Sequence, residues 1–130
     1  TGAPNVVLQN LQPALMLDPT TTEGASAYVT VPPGATRVGL EVTLVTPIAS
    51  SGSTNIVLQC SIAVPGTADV SSAPAYVVPA AAGTIFRMAN LDVPVTSPSV
   101  GVRVTRIANH ASDTFAGDIG VLSVNLVQTQ

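Results

Sequence analysis

Residues 36–45 read TRVGLEVTLV, and the alternation in this stretch decides the fold class. Aliphatic side chains occupy every second position from Val38 to Leu44. The positions between them are small or polar: Arg37, Gly39, Glu41 and Thr43. Because successive side chains of a strand point to opposite faces, this pattern predicts a strand with one face in a core.

The same period of two recurs along the chain, and apolar residues keep a helical spacing nowhere for long. Three further segments alternate clearly: TNIVLQCSIAV (54–64), SVGVRVTRI (99–107) and DIGVLSVNLVQ (118–128). Four alternate more weakly: NVVLQNL (5–11), SAYVTV (26–31), AYVVP (75–79) and TIFRMANLDV (84–93). Clusters of Pro, Gly, Ser and Thr separate them, as turns do. The sequence predicts an all-β fold, an eight-stranded jelly-roll-like β-sandwich.

The N-terminal segment, residues 1–24, differs because its apolar residues keep no single period. We expect either an extended arm, with Val6, Leu8 and Leu11 filling pockets on a neighbouring subunit, or an ordinary edge strand with an irregular lead-in. The predicted organisation is an arm or edge segment over 1–24 and a sandwich over 25–130.

Composition excludes several classes of protein. Only 8% of the residues are charged and the net charge is -3, so the clustered Lys and Arg of a nucleic-acid-binding module are missing. A single cysteine, Cys60, rules out an internal disulfide and is expected in the core. No apolar run is long enough for a membrane span and no signal peptide opens the chain. The small residue Thr1 would permit removal of an initiator methionine, and we expect a product made in the cytoplasm.

The sequence offers little chemistry. His110, Ser112 and Asp113 stand close together in one loop, but triad members usually come from separate elements. We interpret the loop as a turn in which Asn109, Ser112 and Asp113 bond local backbone. Six of the acids fall in predicted turns: Asp18, Glu23, Asp69, Asp92, Asp113 and Asp118. Only Glu41 is mid-strand, and the aromatic platforms typical of carbohydrate-binding sandwiches are sparse. We therefore expect no catalytic residue, no cofactor and no metal.

Charged residues within strands are the candidates for contact with other molecules. Arg37 and Glu41 on one strand, with Arg103 and Thr105 on another, could form cross-strand or intersubunit ion pairs. Arg103 and Arg106 point to opposite faces of a regular strand, so one of them needs a buried partner or a bulge. The candidate interface residues are Val6, Leu8, Leu11, Arg37, Glu41, Arg87, Arg103 and Arg106.

From about residue 54 onward the order of features resembles the jelly-roll cement, or decoration, proteins of tailed bacteriophage capsids, in particular the Bordetella podophage type. The segments that carry the likeness are TNIVLQCSIA, the turn ADVSSAP, PAAAGTIFRMANLDVP, VGVRVTRI and DTFAGDIGVLSVNLVQTQ. In this pattern Arg87 and Arg103 occupy the arginine-bearing stretches.

The resemblance implies a structural virion protein without an enzymatic site. Such a protein lies on the outer capsid surface, self-associates as a homo-dimer or homo-trimer, and bridges major capsid protein subunits so that the shell resists internal pressure. Nucleic acid and membrane are not implied as partners. The alternative is a carbohydrate- or receptor-binding β-sandwich of a phage fibre or a secreted protein.

Overall fold

The protein was analysed as a computed structural model that describes the backbone of residues 5–9 and 12–129 and the side chains of residues 15–129. Ten strands are described: β1 (Asn5–Gln9), β2 (Gln12–Leu17), β3 (Glu23–Thr30), β4 (Arg37–Val45), β5 (Asn55–Ala63), β6 (Val70–Ser72), β7 (Ala75–Val77), β8 (Ile85–Pro94), β9 (Ser99–Arg106) and β10 (Ile119–Gln128). None of the described residues forms a helix that is long and apolar enough to cross a membrane.

The strands form two antiparallel sheets. Sheet A has the order β3-β9-β5-β6, and β7 pairs with the beginning of β5. Sheet B has the order β1-β2-β10-β4-β8. The C-terminal strand β10 therefore lies inside sheet B, between β2 and β4. The fold is a jelly-roll-like β-sandwich, and the predicted all-β class is confirmed.

The core lies between the sheets and follows the alternation of the sequence. The aliphatic positions of β4, Val38, Leu40, Val42 and Leu44, are fully buried. The same is true of Ile56, Leu58, Cys60 and Ile62 on β5. Each such Val, Leu or Ile contributes about 1.5 to 3 kcal/mol by leaving water, so the inward faces of β4 and β5 stabilise the fold substantially.

Two of the ten strands were not predicted. β2 contains Pro13, which suggests a break in a strand, but proline is tolerated near a sheet edge, and this one lies opposite Leu8 of the edge strand β1. β6 has only three residues and lies within ADVSSAP, predicted as a turn; it is too short for alternation to be visible. Asp92 is also in a strand and not in a turn, since it belongs to β8, and Glu23 is the first residue of β3.

The N-terminal segment contributes to sheet B through its backbone. β1 pairs with β2, and β2 pairs with β10 between Ile119 and Val121. In the described backbone, β1 is therefore an edge strand of sheet B, as in the second of the two alternatives given for residues 1–24. β3 begins at Glu23, and the division of the chain at residue 24 stays a prediction. The contact roles of Val6 and Leu8 concern side chains outside the described set, and Leu11 lies outside the described residues altogether.

Candidate functional site

The outer face of sheet A carries a shallow groove of about 240 Å³. Directly opposed residues of antiparallel strands place their side chains on the same face. One row across the sheet consists of Tyr28 on β3, Gly101 on β9 and Ala63 on β5. Asp69, just before β6, lines the groove at the far end of this row. The small side chains in the middle of the row leave the space, and the larger ones bound it.

Tyr28 is the most exposed large hydrophobic side chain among the described residues, at 86% of its accessible surface. Its Cε1 lies 3.7 Å from where a Cβ on Gly101 would stand, and the Ala63 Cβ lies 3.5 Å from the same point. The ring edge is therefore in van der Waals reach of Gly101, while most of the ring surface stays exposed. Its face remains available for stacking, as an aromatic platform requires.

A second row adds polar groups beside the first. Ser26 on β3, Arg103 on β9 and Ser61 on β5 are directly opposed across the sheet and line the same groove. Arg103 is exposed and so is Asp69. The ion pairs in the described part of the chain involve neither of them. Three strand spacings of about 4.8 Å separate the Tyr28 strand from β6, which gives a groove about 14 Å wide. The groove thus combines an aromatic face, two hydroxyls, a cation and an anion.

Arg106 was predicted as a candidate interface residue, and the structure corrects this. It shares the parity of the inward-facing valines of β9, and its side chain is fully buried. Its Nη2 donates to Asp113 Oδ1 at 2.8 Å and its Nε donates to Asp113 Oδ2 at 3.0 Å. The requirement for a buried partner is met by Asp113 within the same chain, so Arg106 is not available to another subunit.

The guanidinium also binds three backbone carbonyls. Nη1 donates to the oxygens of Leu17 and Gly117, at 3.2 and 2.7 Å, and Nη2 donates to that of Phe115 at 2.6 Å. The backbone N–H of Val57 donates to Asp113 Oδ2 at 3.0 Å. We call this set, centred on Arg106 and Asp113, the arginine staple. It ties the end of β9, and hence the central strand of the groove, to β2, β5 and the loop before β10.

The arginine staple also fixes the loop that contains the single histidine, because Asp113 belongs to this loop. Local backbone was predicted as the partner of Asp113. Its carboxylate instead accepts hydrogen bonds from β5 and β9. His110 is exposed, and its Nδ1 accepts a hydrogen bond from the backbone N–H of Ser112 at 3.0 Å. His110, Ser112 and Asp113 therefore do not form a relay. Among the described residues no group of three or more His, Cys, Asp and Glu could hold a metal ion.

The remaining predicted charges lie on the other sheet, which corrects the expected pairing. Arg37 and Glu41 belong to β4 in sheet B, whereas Arg103 belongs to sheet A, so they cannot form cross-strand pairs with one another. Arg37 instead donates to Asp92 Oδ1 at 2.9 Å. Thr105 is buried and is not an outward partner.

Glu41 and Arg87 share the outer face of sheet B. Arg87 is opposite Thr43, and Glu41 is opposite Ala89. The two charges are thus offset by two residues on neighbouring strands. Their role at an interface stays a prediction.

Sequence reasoning singled out Arg103 but missed the rest of the groove. Tyr28 lies in a weakly alternating segment, and neither Gly101 nor Ala63 was among the candidate residues. The available signal was the pair of small residues, Gly101 and Ala63, at outward strand positions. It becomes informative only once the register places them side by side next to Tyr28.

Comparison with known proteins shows the fold but not a family. No family model matches the chain, and no curated protein matches it. Among solved structures, it is similar to the carbohydrate-binding module TmCBM61, which was solved in complex with β-1,4-galactotriose. The TM-score is 0.53 at 13% identity, over 89% of this chain and 69% of that one.

A second similar structure is the enzymatically active domain of tailspike protein 4 from bacteriophage CBA120. Here the TM-score is 0.51 at 11% identity, over 98% of this chain but only 18% of the tailspike chain. Both likenesses are to β-rich proteins, one of them from a phage.

Proposed function

We propose that this protein is a carbohydrate-binding β-sandwich and that the groove on sheet A is its binding site. The observation that carries the proposal is the exposed ring of Tyr28 beside a floor of Gly101 and Ala63. A sugar ring has an apolar face and a rim of hydroxyls. The groove offers an aromatic surface for the face and polar side chains for the rim.

The polar side chains suit this ligand. Arg103 donates hydrogen bonds, Asp69 accepts them, and the hydroxyls of Ser26 and Ser61 do both. Because the two charged groups have no ion-pair partner among the described residues, a ligand need not break an ion pair to reach them. The likeness to a carbohydrate-binding module and to a tailspike domain supports the proposal at the level of fold. We propose that the protein belongs to a phage fibre or is a secreted binding module.

We also propose that the protein binds its sugar without catalysing a reaction. The single histidine donates nothing to a neighbouring nucleophile, and the carboxylate closest to it in sequence, Asp113, is engaged by Arg106. A general base must lie within hydrogen-bond reach of the proton that it abstracts, and His110 Nδ1 accepts from the backbone N–H of Ser112 and not from a hydroxyl. We propose that the protein is not an enzyme.

The proposal is tested by a glycan array followed by calorimetry on the best ligand. Tyr28→Ala should weaken binding by at least about tenfold, because an exposed aromatic ring that stacks on a sugar carries a large share of the affinity. Val77→Ala is the matched control, since Val77 is also exposed but lies on β7, away from the groove. Absence of glycan binding by the wild-type protein, or equal affinity of Tyr28→Ala, would contradict the proposal.

A second candidate function is that of a capsid cement protein, and the exposed apolar surface favours it. Among the side chains of residues 15–129, four large aliphatic ones are exposed besides Tyr28: Ile48, Val70, Val77 and Ile85. With only 8% charged residues, a surface of this kind suits contact with the same or another protein. In this case the partners would be the major capsid protein and further copies of the chain, on the outer surface of a virion.

Size-exclusion mass and co-sedimentation with capsids separate the two candidates. A cement protein should be a dimer or trimer and should sediment with shells, and its binding should not depend on Tyr28. A protein that does not sediment with capsids and that binds glycans through Tyr28 is the carbohydrate-binding module proposed above.

A further inference from the structure

The four arginines of the chain lie in four different environments. Arg37 is paired with Asp92, and Arg106 is buried with Asp113. Arg87 is exposed on sheet B, on the face away from the groove. Arg103 is exposed on the central strand of the groove and, within the described part of the chain, has no carboxylate partner. A guanidinium placed in a binding groove without a partner is available to an anion.

We propose that the ligand of the groove is an acidic saccharide whose carboxylate binds Arg103. This inference rests on the proposed carbohydrate-binding function and names the class of sugar. The planar guanidinium matches a carboxylate in a two-pronged, charge-assisted contact that a neutral hydroxyl cannot reproduce. Ser26 and Ser61, on either side of Arg103, supply hydroxyls to the same end of the sugar.

Asp69 gives the bound sugar its direction. Its carboxylate lines the groove beyond Ala63, while Tyr28 lies at the other end of that row. A sugar carboxylate is repelled by Asp69 and attracted by Arg103, so the acidic group takes the Arg103 side and hydroxyls face Asp69. The net charge of -3 opposes an anion at long range, so the preference depends on the local contact with Arg103.

The experiment compares an acidic sugar with the same sugar after its charge is removed. A glycan array carrying uronic and sialic acids beside neutral glycans identifies the strongest acidic ligand. Calorimetry then measures this ligand as the free acid and as its methyl ester, which retains the ring and linkage. The ester should bind about 10- to 100-fold more weakly, as expected for loss of a charge-assisted pair.

Two variants locate the effect. Arg103→Gln should lower the affinity for the acid about 10- to 100-fold, and it should lower the affinity for the ester much less, so that the two ligands bind the variant about equally. Arg87→Gln, which removes an exposed arginine from the opposite sheet, should bind as the wild type does. Binding of the acid should also weaken as salt is raised, while binding of the ester should not.

The inference is overturned if neutral glycans or the ester bind as tightly as the acid, or if Arg103→Gln does not discriminate between them. Those results leave the carbohydrate-binding function intact as long as Tyr28→Ala still loses binding. Absence of binding to every glycan overturns the proposed function itself, so the two failures are distinguishable.

Discussion

Replacement of Arg106 by methionine should destabilise the fold strongly. The change removes a fully buried charge that donates to Asp113 and to the carbonyl oxygens of Leu17, Phe115 and Gly117. It leaves the Asp113 carboxylate buried without its counter-charge. Breaking one partner of a buried ion pair costs about 3 to 5 kcal/mol, and we expect a loss of free energy of unfolding in this range.

Urea unfolding followed by circular dichroism measures this loss. With a slope of about 2 kcal/mol per molar urea, the unfolding midpoint of Arg106→Met should fall by about 1.5 to 2.5 M. Arg103→Met is the matched control, because it makes the same substitution three residues earlier on β9 at an exposed position. An exposed change of this kind should alter stability by about 0.5 kcal/mol or less.

A double variant distinguishes the ion pair from general damage to the core. In Arg106→Met with Asp113→Leu the unpaired carboxylate is gone, and most of the lost stability should return, since apolar replacement of a whole buried pair is often nearly neutral. If Arg106→Met does not fold, Asp113→Asn provides a milder break. The reasoning is refuted if Arg106→Met unfolds within about 1 kcal/mol of the wild type, or no differently from Arg103→Met.

Two further predictions concern ionisable groups. Burial raises the pKa of the Cys60 thiol to about 11, partly offset by Asn90, so the native protein should not react with a thiol reagent at pH 8 and should react fully in concentrated urea. Stoichiometric reaction of the native protein would contradict the buried position. The hydroxyl of Thr129, and after it Arg37, hold the pKa of Asp92 below its ordinary value of 3.8. A carboxyl with a lowered pKa contributes stability above its unfolded pKa, and this is lost as pH falls through the folded value. Asp92→Asn should therefore flatten the acid limb of the stability profile below about pH 4, and an unchanged slope would show that this pair contributes nothing.

The faces of the strands could be predicted from the sequence because they depend on local alternation. The apolar positions of β4 and β5 are buried as their period of two requires. The opposite parities of Arg103 and Arg106 also predicted that one of the two needs a buried partner or a bulge. The partner of Arg106, seven residues later, could not be identified, because Asp113 reaches Arg106 only through the path of a loop, which has no period.

The groove was beyond sequence reasoning for a different reason. Tyr28, Gly101 and Ala63 come from three strands that are distant in the chain. Alternation tells which way each side chain points but not which strands are neighbours. The site depends on this order and register, and no short motif encodes them.

The position of β10 has a consequence for how the chain reaches its fold. β2 has β1 and β10 as neighbours, and β10 also provides the connection from the N-terminal hairpin to β4. During synthesis the hairpin of β1 and β2 must wait until residues 119–128 have been made before sheet B can close. Such pairing between distant segments slows folding. Until residues 119–128 have left the ribosome, the backbone N–H and C=O groups on the facing edges of β2 and β4 lack their shared partner strand, and such unpaired edges expose the nascent chain to aggregation.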